Sequence, residues 1–407
     1  MFDEKHYVPD AREYLDRGVE IERPAHPPAG KWVMAASMTA VGDRPIGWRL
    51  GPALGGLVVV GATYLIGLRL FRAAWAAAFA ALLVALDGLA ITMSRIGMLD
   101  GIQAAFVALG VLFTVWDRDA PDRRWRWATG LVLGLAVAVK WSSAPVLLAA
   151  AVFALVAELA HRERSLREVL RAASRVALPL VVLPVAVYVA SYAGWFANVD
   201  ESESGRERCS GGDCSFTEAV SAWGFEQYDM WALQGRLKTT HPDRSRPLEW
   251  LTMSDPVLSY AESCPAGTDP AGCDVAPGKE ARIVGVGNPA LWWTALPVYA
   301  YLAWAALRRR RWAAVVVLAF GAVQVLPWFL SWKPGFAFYL TPVVPFAALA
   351  VALAASDAVD RWRWARAAPI VVSVAALLLA AWFYPVWTGM ELSPSALDAR
   401  LWFPDWG

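Results

Sequence analysis

The sequence opens with two adjacent carboxylates, Asp3 and Glu4, in the segment FDEKHY. A positioned carboxylate can take the proton of an attacking hydroxyl group, which is general base catalysis. Since adjacent side chains point in different directions, one acid can be the base while its neighbour holds an acceptor or a cation. The simpler alternative is that both are solvated residues of a chain terminus.

Three cations stand next to apolar segments: Arg95 in SRIGMLD, Lys140 in VKWSS and Lys333 in SWKPGF. A charge at a membrane edge is costly unless it is paired or functional. Arginine can bind phosphate or carboxylate through its planar guanidinium group. These residues are therefore candidate anion ligands, with snorkelling to lipid headgroups as the alternative. Asp100, close to Arg95, is predicted to cap the following helix.

Two further segments contain candidate polar ligands. HPPAGKW holds His26 and Lys31, and HPDRSRPLEW holds His241. Gly30 allows a close approach of the backbone, and a helix is predicted to begin near Lys31. A helix N-terminus beside a lysine suits an anion. For His26, capping or packing is the alternative.

The composition is that of a membrane protein. Of 407 residues, 57% are hydrophobic and 18% charged, with a mean hydropathy of +0.40. Soluble domains average about 45–50% apolar and about 25% charged residues. The 23 tryptophans fit the membrane–water interface, where Trp is enriched. The figures exclude disordered, collagen-like and coiled-coil classes, and predict an all-α polytopic membrane protein.

About 20 apolar residues cross a bilayer. The sequence predicts ten spans, at 50–71, 74–93, 98–116, 127–142, 143–160, 175–195, 290–307, 312–330, 336–355 and 367–387. The segment 30–41 is shorter, and we predict an interfacial or re-entrant helix there. Arginine clusters occupy alternate loops, which marks those loops as cytoplasmic. The N-terminal segment, the stretch 196–289 and the C-terminus are then outside the cytoplasm, and all six lysines lie on that side.

These observations predict five consecutive regions. They are an extracytoplasmic catalytic loop with an interfacial helix (1–49), about six spans (50–195), a large extracytoplasmic loop (196–289), about four spans (290–387) and an extracytoplasmic tail (388–407).

The four cysteines, Cys209, Cys214, Cys264 and Cys273, all lie in the polar stretch 196–289. Their spacing suits two local disulfides in an oxidising compartment. A crossed connectivity is an alternative, and metal binding is disfavoured because no histidine flanks them at zinc-finger spacing.

The motifs, taken in order, resemble those of the protein O-mannosyltransferase family in its actinobacterial form. They are FDEKHY, HPPAGKW, SRIGMLDG, VKWSS, SYAGWF, HPDRSRPLEW, GNPALWW and FAFYLTPVVPF, and they extend over essentially the whole chain. Two differences are that Ala29 stands where the family usually has Leu, and Lys333 where relatives commonly carry Arg.

The resemblance implies a GT-C helix bundle with extracytoplasmic loops. It implies transfer of mannose, with inversion, from polyprenyl-phosphate-mannose to Ser or Thr hydroxyls of exported proteins, outside the cytoplasmic membrane. Asp3 would be the general base and Glu4 would orient acceptor or partner groups. Arg95 and Lys333, with Lys140, would contact the donor phosphate or its surroundings, and Lys31, His26 and His241 are further candidates for substrate binding.

The implied partners are the lipid-linked donor, Ser/Thr-containing exported polypeptides with the secretion machinery, and membrane lipids. No nucleic acid, nucleotide or obligatory metal is expected. Relatives carry a transmembrane helix before the acidic pair. We therefore expect this chain to lack the first transmembrane helix, through a misassigned start or as a truncated paralogue. The alternatives are a GT-C transferase with another lipid-linked sugar or a glycolipid acceptor, an inactive paralogue, and a transporter.

Overall fold

The computed structural model describes residues 3–22, 24–159, 165–209, 214–236, 243–269, 272–331 and 335–406. Helices predominate in this part of the chain, as the composition predicts. In the first half they are α1 (Glu4–Asp16), α2 (Ala29–Val41), α3 (Pro45–Phe71), α4 (Ala74–Ala85), α5 (Gly88–Arg95), α6 (Leu99–Asp117), α7 (Trp125–Val139), α8 (Ala144–Leu159), α9 (Leu166–Ala177) and α10 (Leu183–Ser191).

The second half contains further helices and two strands. They are α11 (Ala193–Ala197), α12 (Glu203–Arg208), α13 (Phe216–Arg236), α14 (Pro247–Thr252), β1 (Val257–Cys264), β2 (Lys279–Gly285), α15 (Pro289–Arg309), α16 (Trp312–Phe329), α17 (Val344–Arg361), α18 (Ala367–Thr388) and α19 (Pro394–Asp398).

Within the described residues, eight helical segments are long and apolar enough to cross a membrane. They are Pro45–Phe71, Leu99–Asp117, Trp141–Leu159, Leu166–Ser191, Pro289–Arg309, Trp312–Phe329, Ala337–Arg361 and Arg363–Thr388. The pair α4 and α5, at the predicted span 74–93, is bent by 58° and makes a ninth if it is one span. At the predicted span 127–142 lies α7, an apolar helix of 15 residues.

The predicted break near residue 142 is confirmed. Helix α7 ends at Val139, Lys140 has extended backbone, and the 3-10 turn Trp141–Ser143 leads into α8. The short apolar segment near residue 30 forms α2, 13 residues long, which begins close to Lys31 as predicted.

The described residues of region 196–289 contain more regular secondary structure than its composition suggests. It contains the 21-residue helix α13, and β1 pairs with β2 in a two-stranded antiparallel sheet. The strands are an exception to the all-α expectation. Their β-branched and aromatic residues, among them Val257, Tyr260, Ile283 and Val284, suit a half-buried strand.

The cysteines pair locally, Cys209 with Cys214 and Cys264 with Cys273. The second disulfide joins the end of β1 to the segment before β2. Of the connectivities that the sequence leaves open, the structure therefore has the one that closes two short loops.

Contacts divide the chain into two compact units that alternate along the sequence. The N-terminal unit comprises the described residues of 3–52 and 97–239, and the C-terminal unit those of 53–96 and 240–407. In the C-terminal unit, α17 packs against α4, α15 and α16. The segment Ala337–Arg361 is the most enclosed of the candidate spans, since 89% of its apolar 18-residue stretch is buried.

In the N-terminal unit, α7 packs against α2, α6, α8 and α10. Two glycines of α7 make this close packing possible. A Cβ on Gly130 would lie 1.7 Å from the carbonyl oxygen of Pro179, and one on Gly134 would lie 2.9 Å from Cα of Pro184. This small-xxx-small spacing is typical of closely packed membrane helices.

Candidate active site

Asp3 lies at the start of α1, and its backbone carbonyl accepts hydrogen bonds from the amides of His6 and Tyr7. Its carboxylate does not cap the helix; Tyr7, one turn further on, donates its hydroxyl to Oδ2 at 3.3 Å. Burial raises the pKa of Asp3 above its usual value; the charge of Lys140 opposes this rise, and that of Asp100 adds to it. Asp3 is thus a carboxyl group with increased basicity.

Glu4 has a different environment from its neighbour. Arg49 Nη2 donates to Oε1 at 2.7 Å, Trp48 Nε1 donates to Oε1 at 2.9 Å, and the Gly97 amide donates to Oε2 at 2.7 Å. Burial alone would raise the pKa of Glu4, but these bonds, with that of Arg49 the strongest, hold it below its usual value. Glu4 is an ionised group with a fixed orientation.

Gly97 is required by the close approach of Glu4. A Cβ at this position would lie 3.0 Å from Cγ of Glu4 and 3.2 Å from side-chain atoms of Met34 and Trp48. The glycine therefore lets the backbone amide reach the carboxylate. The adjacent acids thus face different groups, as expected from their order in the sequence.

Lys140 forms a buried ion pair with Asp100, with Nζ 2.7 Å from Oδ2. The lysine follows the last residue of α7, and the aspartate lies in the first turn of α6. The prediction that Asp100 caps its helix is wrong, because the N-cap is Met98 and no side chain caps it. The other oxygen of Asp100, Oδ1, is buried and has no hydrogen-bond partner within the described part of the chain.

His26 lies near the acidic pair, with its ring centroid 6.0 Å from that of Tyr7. Burial lowers the pKa of His26 well below its usual value, and the positive charges of Lys140 and Lys31 add to this. The imidazole is therefore neutral at physiological pH, and it can donate or accept a hydrogen bond but adds no cation to the site.

Lys31 is buried in the first turn of α2, between the carboxylates of Glu20 and Asp10. Tyr14 donates its hydroxyl to Oε2 of Glu20 at 2.9 Å. Burial raises the pKa of Glu20 to about 8, although the charge of Lys31 opposes the rise. These contacts join α1 to α2, and they supply Lys31 with partners from its own unit. Its predicted role in substrate binding stays a prediction.

The remaining predicted residues lie elsewhere. Arg95 is the last residue of α5, in the C-terminal unit, and is exposed. Lys333 and His241 lie outside the described residues. Of the predicted residues, the N-terminal unit thus contains Asp3, Glu4, His26, Lys31 and Lys140.

Sequence reasoning missed Trp48 and Arg49, which bind Glu4 from the first turns of α3. They lie more than 40 positions from Glu4 in the chain, so that no local spacing links them to it. The available signal was an arginine next to a tryptophan where a long apolar helix begins, which is equally typical of a membrane anchor.

Trp141, the residue that follows Lys140 in the chain, lines an apolar groove of about 500 Å³. Its walls come from α8, from α10 and from the segment just before α10, and they include Leu147, Leu148, Val181 and Val185. Polar groups lie at one end, where Trp141 Nε1 donates to the Tyr188 hydroxyl at 2.8 Å and that hydroxyl donates to Gln227 Oε1 at 2.6 Å. The groove suits an extended apolar chain with a polar head.

Comparisons with known proteins give one consistent result. Residues 25–197 match the family described as dolichyl-phosphate-mannose-protein mannosyltransferase. Residues 222–406 match the C-terminal four-transmembrane region of protein O-mannosyltransferase. Together the two matches cover most of the chain.

Similar full-length proteins are named polyprenol-phosphate-mannose–protein mannosyltransferase. That of Mycobacterium tuberculosis H37Rv is 32% identical over 100% of this chain and 86% of its own length. That of Mycolicibacterium smegmatis is 30% identical over 100% of this chain and 87% of its own length.

A solved structure has the same fold. It is the Saccharomyces cerevisiae Pmt1-Pmt2 complex bound to the sugar donor, with a TM-score of 0.81 and 13% identity, covering 100% of this chain and 89% of that chain.

Proposed function

The chain belongs to the protein O-mannosyltransferase family, and on that premise we propose how its residues transfer mannose from polyprenyl-phosphate-mannose to Ser or Thr hydroxyl groups of proteins. The observation that carries the proposal is that the two adjacent acids, Asp3 and Glu4, have different environments. Asp3 has a raised pKa, whereas Glu4 is ionised and held by Arg49 and Gly97. Neighbouring carboxyl groups with such different environments take different roles.

Asp3 acts as the general base. It accepts the proton of the acceptor hydroxyl as that oxygen attacks C1 of the mannose. The bond between C1 and the phosphate oxygen breaks, the polyprenyl phosphate leaves with the electron pair, and the configuration at C1 inverts. Glu4 has no oxygen without a hydrogen bond, so that it acts by fixing α1 against Arg49 and the Gly97 amide.

Cations stabilise the negative charge that develops on the leaving phosphate. We assign this to Arg95 and Lys333, as the family resemblance implies. Lys140 has the buried partner Asp100, and its charge favours the ionised form of Asp3. Lys140 therefore keeps the base ionised as well as adding positive charge near the donor. His26, Lys31 and His241 would line the substrate site.

The donor's isoprenoid chain would lie in the groove between α8 and α10. The groove is apolar along its walls and polar at the end formed by Trp141 and Tyr188, and Trp141 follows Lys140 in the chain. This arrangement would direct the phosphate toward the acidic pair and leave the chain among apolar side chains.

We place the site on the extracytoplasmic face of the cytoplasmic membrane. Two local disulfides suit an oxidising compartment, and the arginine-rich loops suit the opposite face. Acceptors would then be met as extended chains leaving the secretion machinery. No metal is needed in this scheme, because side-chain cations supply the positive charge.

The test is mannosyl transfer from labelled polyprenyl-phosphate-mannose to a Ser/Thr peptide by Asp3→Asn. We expect transfer to fall by ~100-fold or more, because the amide cannot take the proton. The matched control is Asp16→Asn, which changes an exposed carboxylate at the other end of α1 and should leave transfer unchanged.

Wild-type turnover by Asp3→Asn would contradict its role as base. A wild-type chain that uses another lipid-linked sugar but not mannose would favour a related transferase. Loss of transfer on addition of EDTA would contradict the metal-free scheme.

A further inference from the structure

Besides the apolar groove, the structure has a polar cavity, which lies at the end of α7 that is remote from Asp3. It has a volume of about 580 Å³, and Arg123, Arg126, Glu158 and Arg175 contribute its charged walls together with Asp122. Lys140 follows the opposite end of α7. Fifteen helical residues at about 1.5 Å each place the two ends roughly 20 Å apart. The cavity is therefore separate from the candidate active site.

Arg126 forms the buried inner wall of this cavity. Its Nε donates to Asp117 Oδ2 at 3.1 Å, Nη2 to Glu158 Oε1 at 3.2 Å, and Nη1 to the carbonyl oxygen of Arg175 at 3.2 Å. Its side chain is 2% exposed. Arg126 thus fixes the ends of α6, α7, α8 and α9 against one another and has its donors occupied by the protein.

Arg123 and Arg175 are placed differently. Each pairs with Glu158 at a longer distance, 3.8 Å for Arg123 Nε and 3.7 Å for Arg175 Nη1. These distances exceed the usual hydrogen-bond range. The Arg175 side chain is 68% exposed, whereas that of Glu158 is 9% exposed. Nη1 of Arg123 donates to the carbonyl oxygens of Asp117 and Arg118 at 2.8 and 2.9 Å. The remaining N–H groups of Arg123 and those of Arg175 line the cavity, where a ligand can reach them.

The cavity carries an excess of positive charge. Three arginines line it against the carboxylates of Glu158 and Asp122. Outside the lining, Arg124 pairs with Asp122 at 3.9 Å and Asp117 pairs with Arg126 at 3.1 Å, so that these two further charges cancel. An anion of one charge would therefore complete the balance, and guanidinium groups match the geometry of phosphate oxygens.

The rim of the cavity is apolar. Trp127 and Leu178 line it and are 52% and 51% exposed, although both lie in or next to candidate membrane helices. Tryptophan and arginine together at a helix end are typical of the membrane interface. Basic pockets between membrane helices bind anionic lipid headgroups.

We propose that this cavity is a binding site for the phosphate group of an anionic phospholipid, with Arg123 and Arg175 as its ligands. The lipid's acyl chains would continue past Trp127 and Leu178. The site is independent of the mannosyl transfer reaction, because it lies at the other end of α7.

The test uses the full chain, purified in detergent, with native mass spectrometry and thermal unfolding as readouts. The probes are phosphatidylglycerol, phosphatidylcholine and inorganic phosphate. We expect phosphatidylglycerol to be retained and to raise Tm, and the double variant Arg123→Ala/Arg175→Ala to retain it at least ~10-fold less well. Arg363→Ala removes an exposed arginine outside the cavity and should change nothing.

Glu158→Gln distinguishes binding from a merely structural role. It removes the carboxylate that competes with the ligand, so that phosphatidylglycerol should be retained more tightly, a gain that misfolding cannot produce. A rise in Tm with inorganic phosphate equal to that with phosphatidylglycerol would support the phosphate site and assign it to a soluble ligand. Equal retention of phosphatidylglycerol by wild type and double variant would overturn the proposal.

Discussion

At the scale of single residues, the acidic pair shows how neighbouring carboxylates acquire different properties. Asp3 is partly enclosed and receives one long hydrogen bond from Tyr7, whereas Glu4 accepts bonds from Trp48, Arg49 and the Gly97 amide. Their pKa values therefore move in opposite directions. The difference arises from the side of α1 on which each side chain lies, which the order of residues implies and the tertiary contacts determine.

The ion pair of Lys140 and Asp100 should control the pH dependence of transfer. A base works deprotonated, so activity falls as the pH drops through the pKa of Asp3, which is raised. Asp100→Asn removes a charge that raises this pKa and should move the acid limb of kcat/KM to lower pH. Lys140→Met removes a charge that lowers it and should move the limb to higher pH.

Both variants leave a buried charge without its partner, which costs about 3–5 kcal/mol of stability. The double variant Asp100→Asn/Lys140→Met therefore serves as the control for unfolding. Glu201→Gln, which breaks the exposed pair with Arg17, should leave the limb in place. Shifts of the two single variants in the same direction would contradict this account.

Gly97 offers a second test at this scale. Gly97→Ala places a Cβ 3.0 Å from Glu4 Cγ, so that the Glu4 side chain must shift by a few tenths of an ångström and its bond to the backbone amide is strained. A displacement of about 1 Å in a catalytic site can cost ~100-fold in rate, and for this smaller shift we expect a loss of kcat of roughly 10-fold or less. Gly61→Ala in α3 has open space around it and should be active. Full activity of Gly97→Ala would show that the Glu4 position is not critical.

The sequence was most informative for candidate site residues that can be recognised from their neighbours in the chain. The acidic pair, Lys140, His26 and Lys31 were predicted as site residues from their neighbours in the chain, and the structure places all five in the N-terminal unit. Arg49 was missed because its contact with Glu4 bridges distant segments. Asp100 was misread as a cap, since a carboxylate near a helix start looks the same whether it binds the backbone or a distant lysine.

At the scale of elements, the glycines of α7 carry a prediction about stability. Gly130→Ala would place a Cβ 1.7 Å from the Pro179 carbonyl oxygen, which forces α7 away from the segment that joins α9 to α10. Overpacking of this kind costs about 1–3 kcal/mol. We expect a lower Tm in thermal unfolding of the purified chain.

The matched control is Gly224→Ala in α13, where the added methyl group would point into open space. Alanine is favoured over glycine in a helix by up to about 1 kcal/mol, so its Tm should be equal or higher. An unchanged Tm for Gly130→Ala would contradict the close packing of α7.

Apolar length predicted most helices, since hydrophobic runs must be helical in a membrane. It could not predict the bend between α4 and α5, where Asp87 caps α5 by accepting the Ala90 amide. Nor did it find β1 and β2, which are short and lie in a polar stretch with a disulfide. Such elements depend on pairing between segments, which a hydropathy pattern does not record.

At the scale of the whole molecule, the disulfides test the placement of the chain in the membrane. Peptide mapping without reduction should find Cys209 linked to Cys214 and Cys264 linked to Cys273 in protein from its native membrane. This follows if both segments face an oxidising compartment. Four free thiols would place region 196–289, and with it the proposed face of the active site, in the cytoplasm.

Helices α17 and α18 differ in a way that matters for anyone who modifies this protein. In the segment that contains α17, 89% of the apolar 18-residue stretch is buried, whereas in the segment that contains α18 only 17% is buried. A hydropathy plot alone does not distinguish the two segments, because they are similarly hydrophobic. A spin label or photo-crosslinker on an outward position of α18, such as Leu378, would report on bilayer fluidity with little disturbance. The same probe on α17 would disturb the packing of the bundle. Substitutions among homologues should therefore be more frequent in α18 than in α17.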